Sequence, residues 1–174
     1  MKKVKNIRII PVNFMRLVSL IILLSFIMPV MTNAQAGKAN FSGTWEFNEA
    51  KSTLGDSGGR RGGGNFVAKQ EANLLTVDRT FTNRDGETAT MTSKYTLDGE
   101  ESLNSRGNFE SKSTANWSAD GKTLSIITKF SFNGNDRTSS EVWTLTDAKT
   151  ISIESTRQNR DGDEVKTTRV YDKK

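Results

Sequence analysis

The feature that most constrains the fold is an alternation of apolar and polar residues that runs from Phe41 to the end of the chain. The segment 124–132, LSIITKFSF, places Leu, Ile, Thr, Phe and Phe at alternate positions. Such a period of two is typical of a strand with one buried face. Asp-Gly between alternating segments is a strong hairpin signal, so the chain is predicted to be all-β. Turn signals recur along the chain at Asp85-Gly86, Asp98-Gly99, Asp120-Gly121, Gly134-Asn135 and Asp161-Gly162.

We predict ten strands, joined in sequence into an up-and-down antiparallel meander. A long meander of short strands has unpaired edges, and closure into a barrel removes them. A sandwich of two sheets is the alternative architecture. The approximate strand ranges are 41–48, 65–71, 74–82, 87–97, 100–104, 107–117, 122–132, 137–146, 149–158 and 163–172.

Alternation and strand direction assign each inward-facing residue to one end of the predicted barrel. Large apolar residues fall at the end where the first strand begins, which predicts a packed base. Charged and aromatic residues fall at the other end, which predicts a polar-rimmed mouth. The base set is Leu75, Val77, Tyr95, Leu97, Trp117, Leu124, Ile126, Trp143, Leu145, Ile151 and Ile153, and the mouth set is Arg79, Phe81, Phe109, Phe130, Phe132, Arg137, Glu141 and Arg157.

Residues 1–36 have the layout of a secretory signal peptide. Basic residues precede an apolar segment at 17–30, and Ala34 and Ala36 form an A-x-A cleavage pattern. A retained transmembrane anchor is the alternative, but this apolar segment is shorter than the ~20 residues that span a bilayer. We therefore expect a mature domain at 37–174, located in the periplasm or outside the cell.

Composition excludes several function classes. Five of the 25 Lys and Arg residues and none of the 20 Asp and Glu residues lie in 1–36, so the mature domain is neutral and nucleic acid is not an expected partner. The absence of Cys and His removes disulfides, the commonest metal ligand and the commonest general base. Glu141 has no second inward acid beside it. We therefore expect a protein that is not an enzyme and that has no catalytic residues, no metal and no cofactor. We also expect it to be a monomer.

The first predicted strand contains Gly43-Thr44-Trp45, a G-x-W motif, and the last segment is TTRVYDKK (167–174). Together with the meander, these features resemble the lipocalin-like barrels over essentially all of 40–174. The segments YTLDG (95–99), ANWSADGKTL (115–124) and EVWTL (141–145) resemble in particular those of small secreted bacterial domains. In that family the tryptophan plugs the base of the barrel and an arginine from the last strand packs across it. The resemblance thus implies a base plug of Gly43, Trp45 and Arg169, with a cation–π contact between the last two. The chain departs from the family in having more strands, no C-terminal helix and no disulfide.

The segment 55–66, GDSGGRRGGGNF, joins the first two predicted strands at the mouth. A phosphate-binding loop would need Gly-Lys-Ser/Thr and a following helix, whereas a strand follows here. We interpret the segment as a mobile connection. A functional interpretation can be added, in which the segment is a flexible lid that brings Arg60 and Arg61 over the mouth.

Two functions from different classes remain. The first is an exported, non-enzymatic barrel that binds a small amphipathic or hydrophobic ligand, and the second is a packed structural or protein-interaction barrel of the cell envelope. An interior cavity would favour the first, and an interior filled by tryptophans would favour the second. If the barrel binds a ligand, Arg79 and Arg157 are predicted to receive its anionic group. The alternative interpretation is that both arginines are solvated residues at the rim. The predicted ligand-binding residues are Arg79, Phe81, Phe130, Phe132, Glu141 and Arg157.

Overall fold

The computed structural model describes residues 37–55, 64–82, 86–107, 109–132, 134–159 and 162–174. The predicted signal peptide at 1–36 and the arginine pair Arg60–Arg61 lie outside these residues. Within them, every regular element is a β-strand. The described part of the chain has no helix of the length and apolar character that a membrane crossing requires.

Ten strands pair antiparallel in a single sheet, and the first strand pairs with the last. The hydrogen-bonded order is β4-β3-β2-β1-β10-β9-β8-β7-β6-β5, which wraps into a nearly closed barrel. The all-β meander and its ten strands are therefore confirmed. The strands are β1 (Gly43–Thr53), β2 (Phe66–Gln70), β3 (Leu74–Thr82), β4 (Thr88–Thr96), β5 (Glu101–Arg106), β6 (Phe109–Trp117), β7 (Thr123–Phe132), β8 (Asn135–Asp147), β9 (Thr150–Gln158) and β10 (Glu164–Lys173).

The first strand extends further than predicted, to Thr53 instead of residue 48. Its pairing with β10 shifts register between Asn48 and Thr53. Asn48 accommodates the irregularity, because its side-chain oxygen accepts from the Lys51 amide at 3.1 Å and its carbonyl accepts from the Ser52 hydroxyl at 2.6 Å. A bulge of this kind lets a strand continue past a break in its ladder.

The seam of the barrel lies between β4 and β5, the two ends of the hydrogen-bonded order. Side chains take the place of the backbone ladder there. Asn104 Oδ1 accepts from the Lys94 amide at 2.7 Å, and Asn104 Nδ2 donates to the Lys94 carbonyl at 3.0 Å. The Ser102 hydroxyl accepts from the Thr96 amide at 2.8 Å. Because a side-chain amide carries the same donor and acceptor as a peptide group, Asn104 closes the seam as a neighbouring strand would.

Every residue predicted for the base either belongs to the core of the barrel or packs against it. Trp117 and Leu145 are partly buried and pack against the core, while the other predicted base residues are buried within it. Trp45 is fully buried, and its indole Nε1 donates to the Phe41 carbonyl at 2.9 Å. This bond satisfies the polar atom that burial of the ring would otherwise leave unpaired. The base of the barrel is therefore packed.

The cation at Trp45 is Lys173, and the expected contact with Arg169 is wrong. Lys173 Nζ lies 5.4 Å from the centre of the Trp45 ring, whereas Arg169 Nη1 donates to the Thr167 hydroxyl at 3.3 Å. The register explains the difference, because Trp45 is the direct partner of Lys173 and Arg169 lies four residues earlier on β10. Gly43 has a φ of +150°, and the Lys173 side chain occupies the space that a Cβ at Gly43 would need.

Candidate functional site

An ion pair crosses the interior of the barrel between opposite walls. Arg79 on β3 and Glu141 on β8 stand five positions apart in the ten-stranded order. Arg79 Nη2 nevertheless lies 3.2 Å from Glu141 Oε2, and the two side chains are 24% and 31% exposed. We call this ion pair the crossbar.

Aromatic rings of the core hold the crossbar in place. The Arg79 guanidinium carbon lies 5.9 Å from the centre of the Phe66 ring and 5.7 Å from that of Trp143. Trp143 Nε1 also donates to Glu141 Oε2 at 2.9 Å. Burial acts to lower the pKa of Arg79, but the charge of Glu141 and a hydrogen bond to Tyr95 outweigh it, and the net pKa is raised. The guanidinium therefore stays charged and keeps its counter-charge inside the barrel.

A cavity of about 510 Å³ lies along β4 to β7. Arg79 is the direct register partner of Met91, so the crossbar adjoins this cavity. Ligand sites are commonly clefts of roughly 300–1,000 Å³ with apolar walls and a few polar groups, and this cavity matches that description. It is lined by Met91, Thr92, Ser93, Asn104, Ser105, Phe109, Ser111, Phe130 and Phe132.

The cavity reaches the seam between β4 and β5. Thr92 and Ser105 are exposed residues that alternate with the inward-facing Ser93 and Asn104, yet both line the cavity. Residues of the outer face contribute to the wall because the strands at the seam are joined by side chains instead of a continuous ladder. The wall of the cavity thus extends to the seam side of the barrel.

The six residues predicted to bind a ligand occupy three different environments. Phe130 and Phe132 line the cavity, whereas Phe81 is partly buried on β3. Arg79 and Glu141 form the crossbar. Arg157 is exposed on β9, opposite Ser139 on β8. Because Arg79 already has Glu141 as its counter-charge, it does not offer an unpaired cation beside Arg157, and the binding role of these residues stays a prediction.

Sequence reasoning did not assign Met91, Ser93 or Asn104 to the site. These residues lie on β4 and β5, and only the position of the seam brings the two strands together as one wall of a cavity. Alternation gives the face on which a residue lies, but it does not locate the seam. The available signal was Asn104, an amide at an inward position of a short strand.

Within the described ranges, no group of three or more His, Cys, Asp or Glu residues could hold a metal ion. Glu141 is bonded by both Arg79 and Trp143. Its carboxylate therefore functions in the structure as an acceptor for two fixed donors.

No protein-family profile matches this chain, and no curated protein matches it. Among solved structures, that of the wild-type fluorescent protein UnaG is similar, with a TM-score of 0.50 and 19% identity over 77% of this chain and 97% of UnaG. A point mutant of UnaG has a TM-score of 0.48 and 20% identity over 77% of this chain and 96% of its own. At such identity the likeness shows the fold alone. It agrees with a lipocalin-like barrel and assigns no sequence family.

Proposed function

We propose that this protein is an exported, non-enzymatic barrel, akin to small secreted bacterial lipocalin-like domains, that binds one small amphipathic or hydrophobic molecule. The observation that carries the proposal is the cavity of about 510 Å³ beside the crossbar. The apolar part of the ligand would lie against Met91, Phe109, Phe130 and Phe132. The serine hydroxyls of the same wall would orient its polar part.

The contrast between the two ends of the barrel supports a binding role for the cavity. Protein interiors are close-packed, with few voids larger than a water molecule. The base follows this rule, because the large side chains of Trp45 and Trp143 are fully buried and fill the interior at that end. In the cavity, small residues such as Ser93 and Ser111 stand where larger apolar residues would fill the space. The free volume therefore results from the small side chains at these positions of the wall.

Aromatic exposure gives a driving force for binding. Phe132 is 53% exposed and Phe109 is 36% exposed, although both lie on the wall of the cavity. Each Å² of apolar surface removed from water contributes about 25 cal/mol. A ligand that covers these rings gains that stabilisation together with the burial of its own apolar surface.

A packed structural or protein-interaction barrel is the second candidate function. The filled base and its stacked Phe41 and Trp117 rings favour it. The cavity argues against it, because a purely structural barrel has no need of the open volume. One experiment separates the two functions.

The test is a titration of the protein, purified from cells that express the full chain, with the neutral fluorescent probe N-phenyl-1-naphthylamine. We expect saturable binding of one equivalent. Phe130→Asp places a charge in the cavity wall and should abolish binding. Ile127→Asp is the matched control, because Ile127 lies on the same strand with 42% exposure on the outer face. Absence of binding by the native protein, or equal loss in both variants, would contradict the proposal.

Export is a separate part of the proposal and has its own measurement. Protein isolated from its host should begin at Gly37 and occur outside the cytoplasm, because a signal peptidase cleaves after an A-x-A pattern. Cytoplasmic protein that retains Met1 or residues 2–36 would contradict export and leave the binding proposal intact.

A further inference from the structure

Two arginines on neighbouring strands occupy inward positions of the alternation near the aromatic wall of the cavity, where Arg137 is partly buried and Arg157 is exposed. Arg137 on β8 is the direct register partner of Phe130 on β7. Arg157 on β9 is the direct partner of Ser139, which lies two residues after Arg137 on the same face of β8. Diagonal neighbours of this kind have their Cβ atoms within about 7–8 Å, which long side chains can bridge. The two guanidinium groups can therefore approach one small group together.

Neither arginine has an anionic partner among the described residues. The ion pairs among those residues include neither Arg137 nor Arg157. The inward-facing carboxylate of β8, Glu141, is paired with Arg79. Arg137 Nη1 donates to the Asn159 carbonyl at 3.2 Å, but its Nε is buried with no hydrogen-bond partner. A buried donor without an acceptor is unfavourable, and it is more so when it belongs to a charged group. Within the described part of the chain, neither arginine therefore has a bonded acceptor that carries negative charge.

Arg137 is also next to the main cavity through its register partner. That partner, Phe130, lines the cavity. A molecule whose apolar body lies against Phe130 would consequently have its polar end close to Arg137.

We propose that Arg137 and Arg157 bind the oxyanion head group of the ligand, a carboxylate, sulfate or phosphate, while its apolar body lies in the cavity. This inference rests on the proposed function and specifies the chemical class of the ligand. The planar guanidinium matches an oxyanion through paired N–H donors, and Arg137 Nε supplies one of them. Arg137 takes the place of Arg79 in the predicted arginine pair, because Arg79 already has Glu141 as its counter-charge in the crossbar.

The experiment compares decanoate, decyl phosphate, decanol and decyltrimethylammonium as competitors of the neutral probe. These molecules share one apolar chain and differ in their head groups. The native protein should bind decanoate and decyl phosphate about tenfold or more tightly than decanol, and decyltrimethylammonium most weakly. The ratio of the two anions shows which oxyanion the site prefers.

Arg137→Met and Arg157→Met should each remove most of the preference for the anions and change decanol affinity by less than about twofold, because methionine retains the apolar stem. Lys129→Met is the matched control, since Lys129 is an exposed cation one residue before Phe130 on β7, on the opposite face. It should keep the preference. Circular dichroism and thermal unfolding verify that each variant is folded.

The outcomes separate the two proposals. Binding of all four competitors with equal affinity, or equal weakening of decanol and decanoate in the arginine variants, would overturn the head-group site and leave a hydrophobic binding barrel. Loss of the anion preference in Lys129→Met as well would also overturn it, because a general surface charge would then be responsible. Failure of the native protein to bind any competitor or the probe would overturn the proposed function itself.

Discussion

Neutralising Glu141 should destabilise the barrel measurably, because the crossbar is its internal ion pair. Glu141→Gln keeps the shape of the side chain and an oxygen that can accept from Trp143 Nε1, but it removes the counter-charge of Arg79. Removal of one partner from a fully buried pair costs about 3–5 kcal/mol. Here the partners are 24% and 31% exposed, so water screens part of the loss. A single charged hydrogen bond contributes ~1.5–3 kcal/mol, and we expect a loss near ~2 kcal/mol in the free energy of unfolding.

The assay is urea unfolding followed by tryptophan fluorescence for the native protein, Glu141→Gln, Arg79→Met and the double variant. The double-mutant cycle should give a coupling energy of about 1–2 kcal/mol, and the double variant should lose less stability than the two single losses added together. Lys112 and Glu101 supply the control cycle, since they form an ion pair at 2.9 Å with side chains 60% and 53% exposed. Such exposed pairs contribute about 0–1 kcal/mol. A crossbar coupling no larger than the control coupling would refute the reasoning.

Three further changes test the base, the seam and the outer face. Trp45→Ala should lower the free energy of unfolding by about 3–5 kcal/mol, the range for a large buried aromatic, and an unchanged midpoint of urea unfolding would show that Trp45 is not part of the core. Asn104→Ala removes the side-chain oxygen that accepts from the Lys94 amide, so this amide and its neighbours should exchange hydrogen faster; unchanged exchange would mean that the seam does not depend on the Asn104 side chain. Hydrogen bonds from Asn48 and, to a smaller extent, from the Lys51 cation lower the pKa of Asp172. The carboxylate therefore contributes its full stabilisation above the ordinary pKa of 3.8, and this stabilisation is lost as the pH falls through the lowered pKa of the folded state. Asp172→Asn should therefore reduce stability at neutral pH and make little difference in strong acid, and a difference that grows toward low pH would contradict this sign.

Alternation predicted the strands and the face of each residue because both depend on local geometry. β3 has the predicted limits, and every residue assigned to the base belongs to the core or packs against it. The partner of a given side chain depends on register and on shear, which alternation does not encode. Arg169 was expected at Trp45 on family grounds, and the register placed Lys173 there instead.

Pairing between side chains on opposite walls could not be predicted from the sequence, because it also depends on register and shear. Arg79 and Glu141 were both assigned to the mouth, but their strands are separated by half of the barrel. Each could be recognised as an inward-facing charge, and only closure of the sheet makes them partners. The cavity depends on closure in the same way, since Met91 and Phe130 lie on strands that are distant in the sheet order until the seam joins them.

One row of register partners connects the base of the barrel to the cavity. Each step of the row is a direct cross-strand pair, and all its side chains lie on the inner face. A slip of one residue in any of these pairs would turn the affected strand's inward set toward solvent, and the crossbar would lose its arginine. The G-x-W motif at the start of β1 therefore does more than fill the base, because the burial of its tryptophan fixes the register that places the arginine above Phe66 and opposite Glu141. The row runs through Lys173, Trp45, Phe66, Arg79 and Met91.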